Sequence, residues 1–367
     1  MLTLEDLGWT QRFAGAFETY RAQGFTPARV SLEHTHIYRV VAPDGERLAR
    51  VAGRLRHNAS GRADFPAVGD WVAVETPAHG DARIRAVLPR VTQFSRRAAG
   101  NPTEPQVVAA NIDVVFLVSG LDRDFNPRRI ERYLVTAWDS GAAPVIVLNK
   151  VDLVEDVQPF LREVEAIAHG VPIVVTSARI PSTEDPAPDT HYPAPLAALR
   201  SHLGPGRTAA LLGSSGVGKS SIANALIGEE VLRTREVRAS DSRGRHTSTS
   251  RQLVLLPGGG ILIDTPGMRE LQLWDTGDAV AGAFADVEEL GAECRFRDCR
   301  HASEPGCAVV AAVAAGQLPA ERLENYRKLQ AEQKFQAAQQ EERARIEIKR
   351  AGKIGAKALR ARLKEKS

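Results

Sequence analysis

The apolar positions of this chain change rhythm twice. Between Leu4 and Tyr20 they recur at helical spacing, at Leu7, Phe13, Phe17 and Tyr20, until Gly24 and Pro27 break the pattern; this predicts a short amphipathic helix. Short alternating runs follow: ARVSLEHTHIYRVVA, RLARVAGRLRH, DWVAVE and ARIRAVLP, parted by the turn formers PDGE, ASGRAD and PAHGD. About five short strands in so little chain predict a small barrel, best matched by an OB-type fold. Such a barrel binds single-stranded nucleic acid or serves only for packing and protein contact. Its visible stacking residues are few: Tyr38, Phe65 and Trp71.

From EPQVVAANIDVVFLVSGL onward the runs become solidly apolar. DVVFLVSG, PVIVLNK, PIVVTSA, TAALLGSSG and GGILIDTPG each end in a polar or glycine-rich turn, with amphipathic stretches at 128–139 and 157–169 between them. Strands apolar on both faces are what a parallel sheet covered on both sides requires, and the amphipathic stretches predict its crossover helices. The proline-rich 180–195 reads as a loop, and no repeat of fixed period is present.

The turns carry the chemistry. Gly213, Ser214, Ser215, Gly216, Val217, Gly218, Lys219, Ser220 and Ser221 contain G-x-x-x-x-G-K-[ST] between an apolar strand and the helical SIANALIG. In that context the glycines let successive N–H groups face a phosphate chain while the next helix presents its positive end. Lys219 would neutralise the outer phosphates and Ser220 would ligate Mg²⁺. Such a loop takes GTP or ATP, so the base is decided elsewhere. Asn149, Lys150, Val151 and Asp152 form NKVD at the end of another strand, where ligands bind in these sheets. A carboxylate only accepts hydrogen bonds, and guanine, unlike adenine, offers adjacent N1–H and N2–H donors. Asn149 would meet the O6 and N7 edge, the Lys150 stem would cover the ring, and Thr176, Ser177 and Ala178 would reach O6 from a third strand end. Together they predict guanine.

In IDTPG, Asp264 would hold Mg²⁺ through water and Gly267 would sense the γ-phosphate. RGRHTSTS between cradle and Asp264 reads as a switch, with Thr247 the metal-contacting threonine and Thr249 behind it. Many small GTPases place a water-orienting Gln directly after that glycine; here Met268 stands there, and a thioether cannot orient water. His246 or a partner would then position the nucleophile, or His246 is a solvated loop residue.

The base-reading strand comes before the cradle strand, reversing the usual order. Circular permutation accounts for this, because breakpoints in surface loops leave each strand's place in the sheet unchanged. Cys294, Cys299, His301 and Cys307, spaced C-x4-C-x-H-x5-C, offer three thiolates and an imidazole, a donor set suited to a closed tetrahedral zinc site or alternatively three buried thiols and a histidine. The permuted order, the N-terminal barrel and this cluster resemble the ribosome small subunit-dependent GTPase A family over nearly the whole chain, from Leu4 to Gln340. The resemblance implies structural Zn²⁺ on these four residues. It also implies a GTP hydrolase that acts late in maturation of the small ribosomal subunit, binds the subunit and its rRNA, and is stimulated by it. A GTP-gated RNA-binding module with incidental hydrolysis and a metal-delivery GTPase are the rival readings.

The expected architecture is multi-domain: an N-terminal helical extension (1–34), an OB-fold β-barrel (35–98), a circularly permuted α/β P-loop GTPase domain (99–273), a zinc-binding, mostly helical domain (274–340) and a basic C-terminal tail (341–367). With 43% hydrophobic residues the 367-residue chain can fill several cores. It has no apolar run long enough to span a bilayer and no basic-then-apolar leader, so a cytoplasmic monomer without a membrane partner is expected. The net charge of +3 is uneven: the tail holds ten Lys/Arg against four acids, a net +6, which leaves −3 for the rest. Such a tail binds a polyanion or serves as a solvated helix.

Overall fold

A computed structural model describes residues 2–34, 37–77, 80–98, 101–177, 196–228, 251–264 and 284–331, with 334 and 338. The chain divides into two compact units, Met1–Arg97 with Glu104–Gln272, and Ala98–Thr103 with Leu273–Ser367.

The first unit opens with helix α1 (Gln11–Arg21), whose buried face carries Phe13 and Phe17. Both rings join Trp9 and Trp71, the two indoles meeting edge-on at 4.6 Å between centroids. Strands β1 (Thr26–His34), β2 (Ile37–Ala42), β3 (Gly45–Val51), β4 (Trp71–Glu75) and β5 (Ala82–Val87) form the barrel. They run in the order β1-β2-β3-β5-β4, and β4 pairs back onto β1, so the sheet closes in the OB manner. Val30, Tyr38, Val40, Ala49, Val72 and Ile84 fill it. The run RLARVAGRLRH is not one strand: β3 ends at Val51 and helix α2 (Gly53–Asn58) follows. Alternation stops at Ala52, and in α2 only Leu55 packs inward, so nothing there could hold a strand face to the core.

Strands β6 (Gln93–Ala98) and β7 (Asn101–Ala110) pair as a two-stranded ribbon. The nucleotide-type sheet comprises β8 (Val114–Gly120), β9 (Ala143–Asn149), β10 (Ile173–Val175), β11 (Thr208–Leu212), β12 (Arg251–Leu255) and β13 (Ile261–Asp264). Its order is β10-β9-β8-β11-β13-β12, parallel apart from β12. Helices α3 (Pro127–Ser140) and α4 (Gln158–Ala168) cover one face. The short α5 (Ala197–Arg200) and α6 (Lys219–Ile227) cover the other. The reason β8 is apolar throughout is visible residue by residue. Val115 and Leu117 pack with Ile130, Leu134 and Val164, while Val114, Phe116 and Val118 pack with Ile222, Ala223 and Leu226.

Barrel and nucleotide sheet are continuous, because β12 pairs antiparallel with β1 through Leu32 opposite Gln252 and Glu33 opposite Arg251. The same junction buries Arg29, only 1% exposed. Its guanidinium donates to the carbonyls of Leu7 (2.5 Å), Gly69 (3.1 Å) and Asn111 (3.0 Å). Burial pulls its pKa down to about 10.

In the second unit, α7 (Ala285–Ala292) and α8 (Ala308–Ala314) flank the cysteine cluster, and residues 320–331 are helical. Arg322 clamps Asp286 through two hydrogen bonds of 2.5 and 2.7 Å and lies over the Phe284 ring at 4.7 Å. Tyr326 donates to Glu288 at 2.7 Å.

Candidate functional site: a nucleotide cradle and a Cys/His cluster

The fully buried β11 delivers the chain into Gly213–Gly218, and α6 leaves from Lys219. Glycine is required where the loop presses on its neighbours. A Cβ on Gly213 would lie 2.3 Å from the Val118 carbonyl, and one on Gly218, which sits at φ +96°, would lie 2.2 Å from Asn149 Nδ2. Gly216 also has positive φ, yet nothing lies within 4 Å of its would-be Cβ, so this part of the loop faces open space. The Lys219 ammonium donates to the carbonyls of Gly213 (2.7 Å) and Ser214. Ser215, Ser220 and Ser221 lie on the same loop and first helical turn.

The base-reading elements converge on this loop. Asn149 is 2% exposed and donates through Nδ2 to the Val217 carbonyl at 2.7 Å, which ties the NKVD turn to the cradle. Lys150 adopts φ +66°, turning the chain so that Val151 and Asp152 enter a short 3₁₀ turn. The Ser177 hydroxyl donates to Asp152 at 2.6 Å, and the Val151 amide donates to the Thr176 carbonyl at 3.3 Å. Three strand ends from different parts of the chain thus share one rim. Ala178, His246, Thr247, Thr249, Gly267, Met268 and the tail 341–367 lie outside the described residues; Asp264 ends β13, opposite Gln252.

The end of β8 adds charged groups that no motif announced. Asp122 accepts from the Lys150 ammonium at 2.5 Å and from the Asp124 amide at 2.9 Å. Burial works to raise its pKa, but the Lys150 bond and the Asp124 amide outweigh that and hold the carboxyl below its ordinary range. Arg129, in the first turn of α3, pairs with Asp124 at 2.7 and 2.8 Å and also donates to the Ser214 hydroxyl of the cradle. The Asp124 bond raises its pKa. Asn126 caps this turn and Pro127 starts it, which fixes Arg129 toward the loop. The available signal was position alone: SGLDRDFN ends an apolar strand at the ligand-bearing edge.

In the second unit, the donor atoms of Cys294, Cys299, His301 and Cys307 all lie within 4.8 Å of one another. Cys294 Sγ to Cys307 Sγ is 3.7 Å, and each of these sulfurs is 3.5 Å from His301 Nδ1. A tetrahedron with Zn–S near 2.3 Å and Zn–N near 2.0 Å has edges of about 3.8 and 3.5 Å, so Cys294, His301 and Cys307 stand at the spacing of that ion with Cys299 within 4.8 Å to complete the set; the Cys294–Cys307 pair is too wide for a disulfide, whose sulfurs sit about 2 Å apart. Burial lowers the His301 pKa and so favours the neutral imidazole that ligates metals. Glu304 closes the loop by accepting from the amides of Arg300, Ala302 and Ser303. Backbone donors, its own amide first, bring its pKa to about 2.

Together, fold and cradle define a circularly permuted P-loop GTPase. A sequence profile of the family described as RsgA GTPase matches residues 87–274, and one described as 50S ribosome-binding GTPase matches 208–341. The chain belongs to the RsgA GTPase family. A protein of Opitutus terrae named small ribosomal subunit biogenesis GTPase RsgA is 49% identical over 346 residues, covering 92% of this chain and 91% of that one. One of Streptomyces coelicolor with the same name is 43% identical over 366 residues, covering 98% and 95%. Among solved structures, YjeQ from Thermotoga maritima superposes with a TM-score of 0.61 at 30% identity, over 83% of this chain and 97% of its own. YloQ, described as a circularly permuted GTPase, shares the fold at a TM-score of 0.56 and 24% identity, over 85% and 96%.

Proposed function

We propose that this GTPase is a late-stage maturation factor of the small ribosomal subunit, binding the subunit and its rRNA with GTP and hydrolysing the nucleotide when the subunit stimulates it. The observation that carries the nucleotide half is the shared rim, where Ser177 meets Asp152 and Asn149 meets Val217. The names of relatives alike over nearly their full length support the ribosomal half.

In this reading the amides of Gly213–Ser221 surround the phosphates and the Lys219 ammonium leaves the loop carbonyls for the phosphate oxygens. Asp152 accepts from guanine N1–H and N2–H, the Lys150 stem covers the ring against the counter-charge of Asp122, and Thr176–Ala178 approach O6. Mg²⁺, when bound, neutralises charge between the outer phosphates; Ser220, Thr247 and, through water, Asp264 would hold it. Gly267 senses the γ-phosphate, and His246 or a group from the subunit orients the attacking water, because Met268 cannot. Cys294, Cys299, His301 and Cys307 hold one structural Zn²⁺. The protein works as a cytoplasmic monomer, and among the described residues no helix is long and apolar enough to cross a membrane.

The test is GTP turnover with purified ribosomal subunits. Small subunits are expected to accelerate hydrolysis at least about tenfold, on the scale of trans-acting GTPase stimulation, and large subunits are not. Equal rates with either subunit, or with none, would remove the ribosomal assignment.

A further inference from the structure

We propose that the loop between Cys294 and His301 is a stacking platform for an unpaired RNA nucleotide. The inference rests on the small-subunit reading above, which supplies an RNA partner. Phe296 is 42% exposed at the tip of this loop, whereas the other described phenylalanines are buried or half-buried. Leaving a phenyl ring in water forgoes the burial that drives the rest of the chain together, and no core need explains it here.

The ring sits among cations. Arg295, Arg297 and Arg300 lie on the same short loop, all three exposed, and the Arg295 guanidinium is 5.5 Å from the Phe296 centroid. The nearby acids offset only part of this charge: Glu293 and Asp298 against the three arginines leave a net +1, and Glu304 is turned inward onto the loop's own amides. The loop is also held at its root. His301 and Cys307 are buried, the four donor atoms converge, and Gly306 lets the Arg295 stem approach so closely that a Cβ there would lie 3.1 Å from it. A rigidly based aromatic ring beside guanidinium groups matches what a single strand offers, a flat base with phosphates on either side. A duplex offers phosphates but no free base face. A protein partner seeking an apolar surface would need a contiguous patch of a few hundred Å², which one ring does not give.

The test uses the full chain, a fluorescein-labelled oligouridylate of about ten nucleotides, and a blunt RNA duplex of equal length. Both ligands meet the same basic tail, so differences between variants read the loop. Phe296→Leu is expected to weaken single-strand binding about tenfold and to leave duplex binding within about twofold. Phe296→Trp keeps the affinity, and the indole's emission, taken against the wild-type background, is quenched as the oligonucleotide binds. Replacing Arg297 and Arg300 by Gln lowers the salt dependence of single-strand binding. The proposal is overturned if Phe296→Leu binds the single strand like wild type, if it loses both ligands equally, or if the added emission of Phe296→Trp does not respond. Weakened binding to small subunits with unchanged oligonucleotide binding would also overturn it, in favour of a protein contact. Failure of the small-subunit reading would show separately, as unstimulated GTP turnover by the wild-type chain.

Discussion

Gly218 carries φ +96° with Asn149 Nδ2 where a side chain would begin, so the cradle and the base-reading turn are fitted to each other through one missing methyl group. Gly218→Ala combines backbone strain with a collision that displaces Asn149 from Val217. It is expected to reduce GDP affinity at least about tenfold, taking strain of ~1–3 kcal/mol, in a calorimetric titration; affinity within about twofold of wild type would mean that loop and turn move independently. At this scale much of what converges in the candidate site was legible in the order of residues alone. Gly213, Lys219 and Asp152 stand in spacings whose chemistry is specific, and Ser177 was expected beside the base reader, though its hydroxyl is engaged by Asp152. Asp122, Asp124 and Arg129 were not legible. Acidic and basic residues in a loop have many uses, and only the meeting of Asp122 with Lys150 and of Arg129 with Ser214 gives them one.

The elements were legible where one physical pattern dominated. Solid apolar runs gave the parallel strands, and the crossover helices, expected at 128–139 and 157–169, lie at Pro127–Ser140 and Gln158–Ala168. The pattern misled at α2, where Arg54, Leu55 and Arg56 continue the look of β3 without a core face to serve. It was silent on β6 and β7, whose pairing leaves no period along the chain although Phe94, Val108 and Ala109 reach the core. The cysteine cluster is the element most dependent on a ligand. Short helices such as α7 and α8 are marginal alone, and the four donors at tetrahedral spacing would staple them. Removing Zn²⁺ with a strong chelator is expected to lower helical circular dichroism and expose the second unit to protease, while GDP still binds the first; a second unit that stays folded without metal would exclude a structural role.

At the scale of the molecule, the surprise is continuity. The sequence reads as a barrel followed by a separate nucleotide domain, yet β1 and β12 share a ladder, and Arg29 ties the N-terminal segment, a barrel loop and Asn111 together. Neither link has a local signature, because pairing partners distant in sequence leave no period along the chain. Arg29→Ala would strand the buried carbonyls of Leu7 and Asn111 around a cavity, leaving that of Gly69 with Asn111 Nδ2 alone, and is expected to cost about 3 kcal/mol or more in chemical denaturation; a loss below about 1 kcal/mol would show the junction to be dispensable. Continuity also bears on function. Gln252 lies opposite both Leu32 of the barrel and Asp264 at the end of β13, so a single strand separates the barrel from the edge where the γ-phosphate would be sensed. The account depends most on pieces that are out of order in sequence meeting around one guanine. The direct measurement is nucleotide preference in Asp152→Asn. An amide there can accept from only one of guanine N1–H and N2–H and sets its NH2 against the other, but that NH2 can donate to the carbonyl that xanthine carries in place of the guanine 2-amino group. The variant should therefore lose GTP affinity and gain xanthosine triphosphate, with turnover following the new base. If it still prefers GTP, Asp152 does not read the base, and the convergence of NKVD with the cradle is not a nucleotide site.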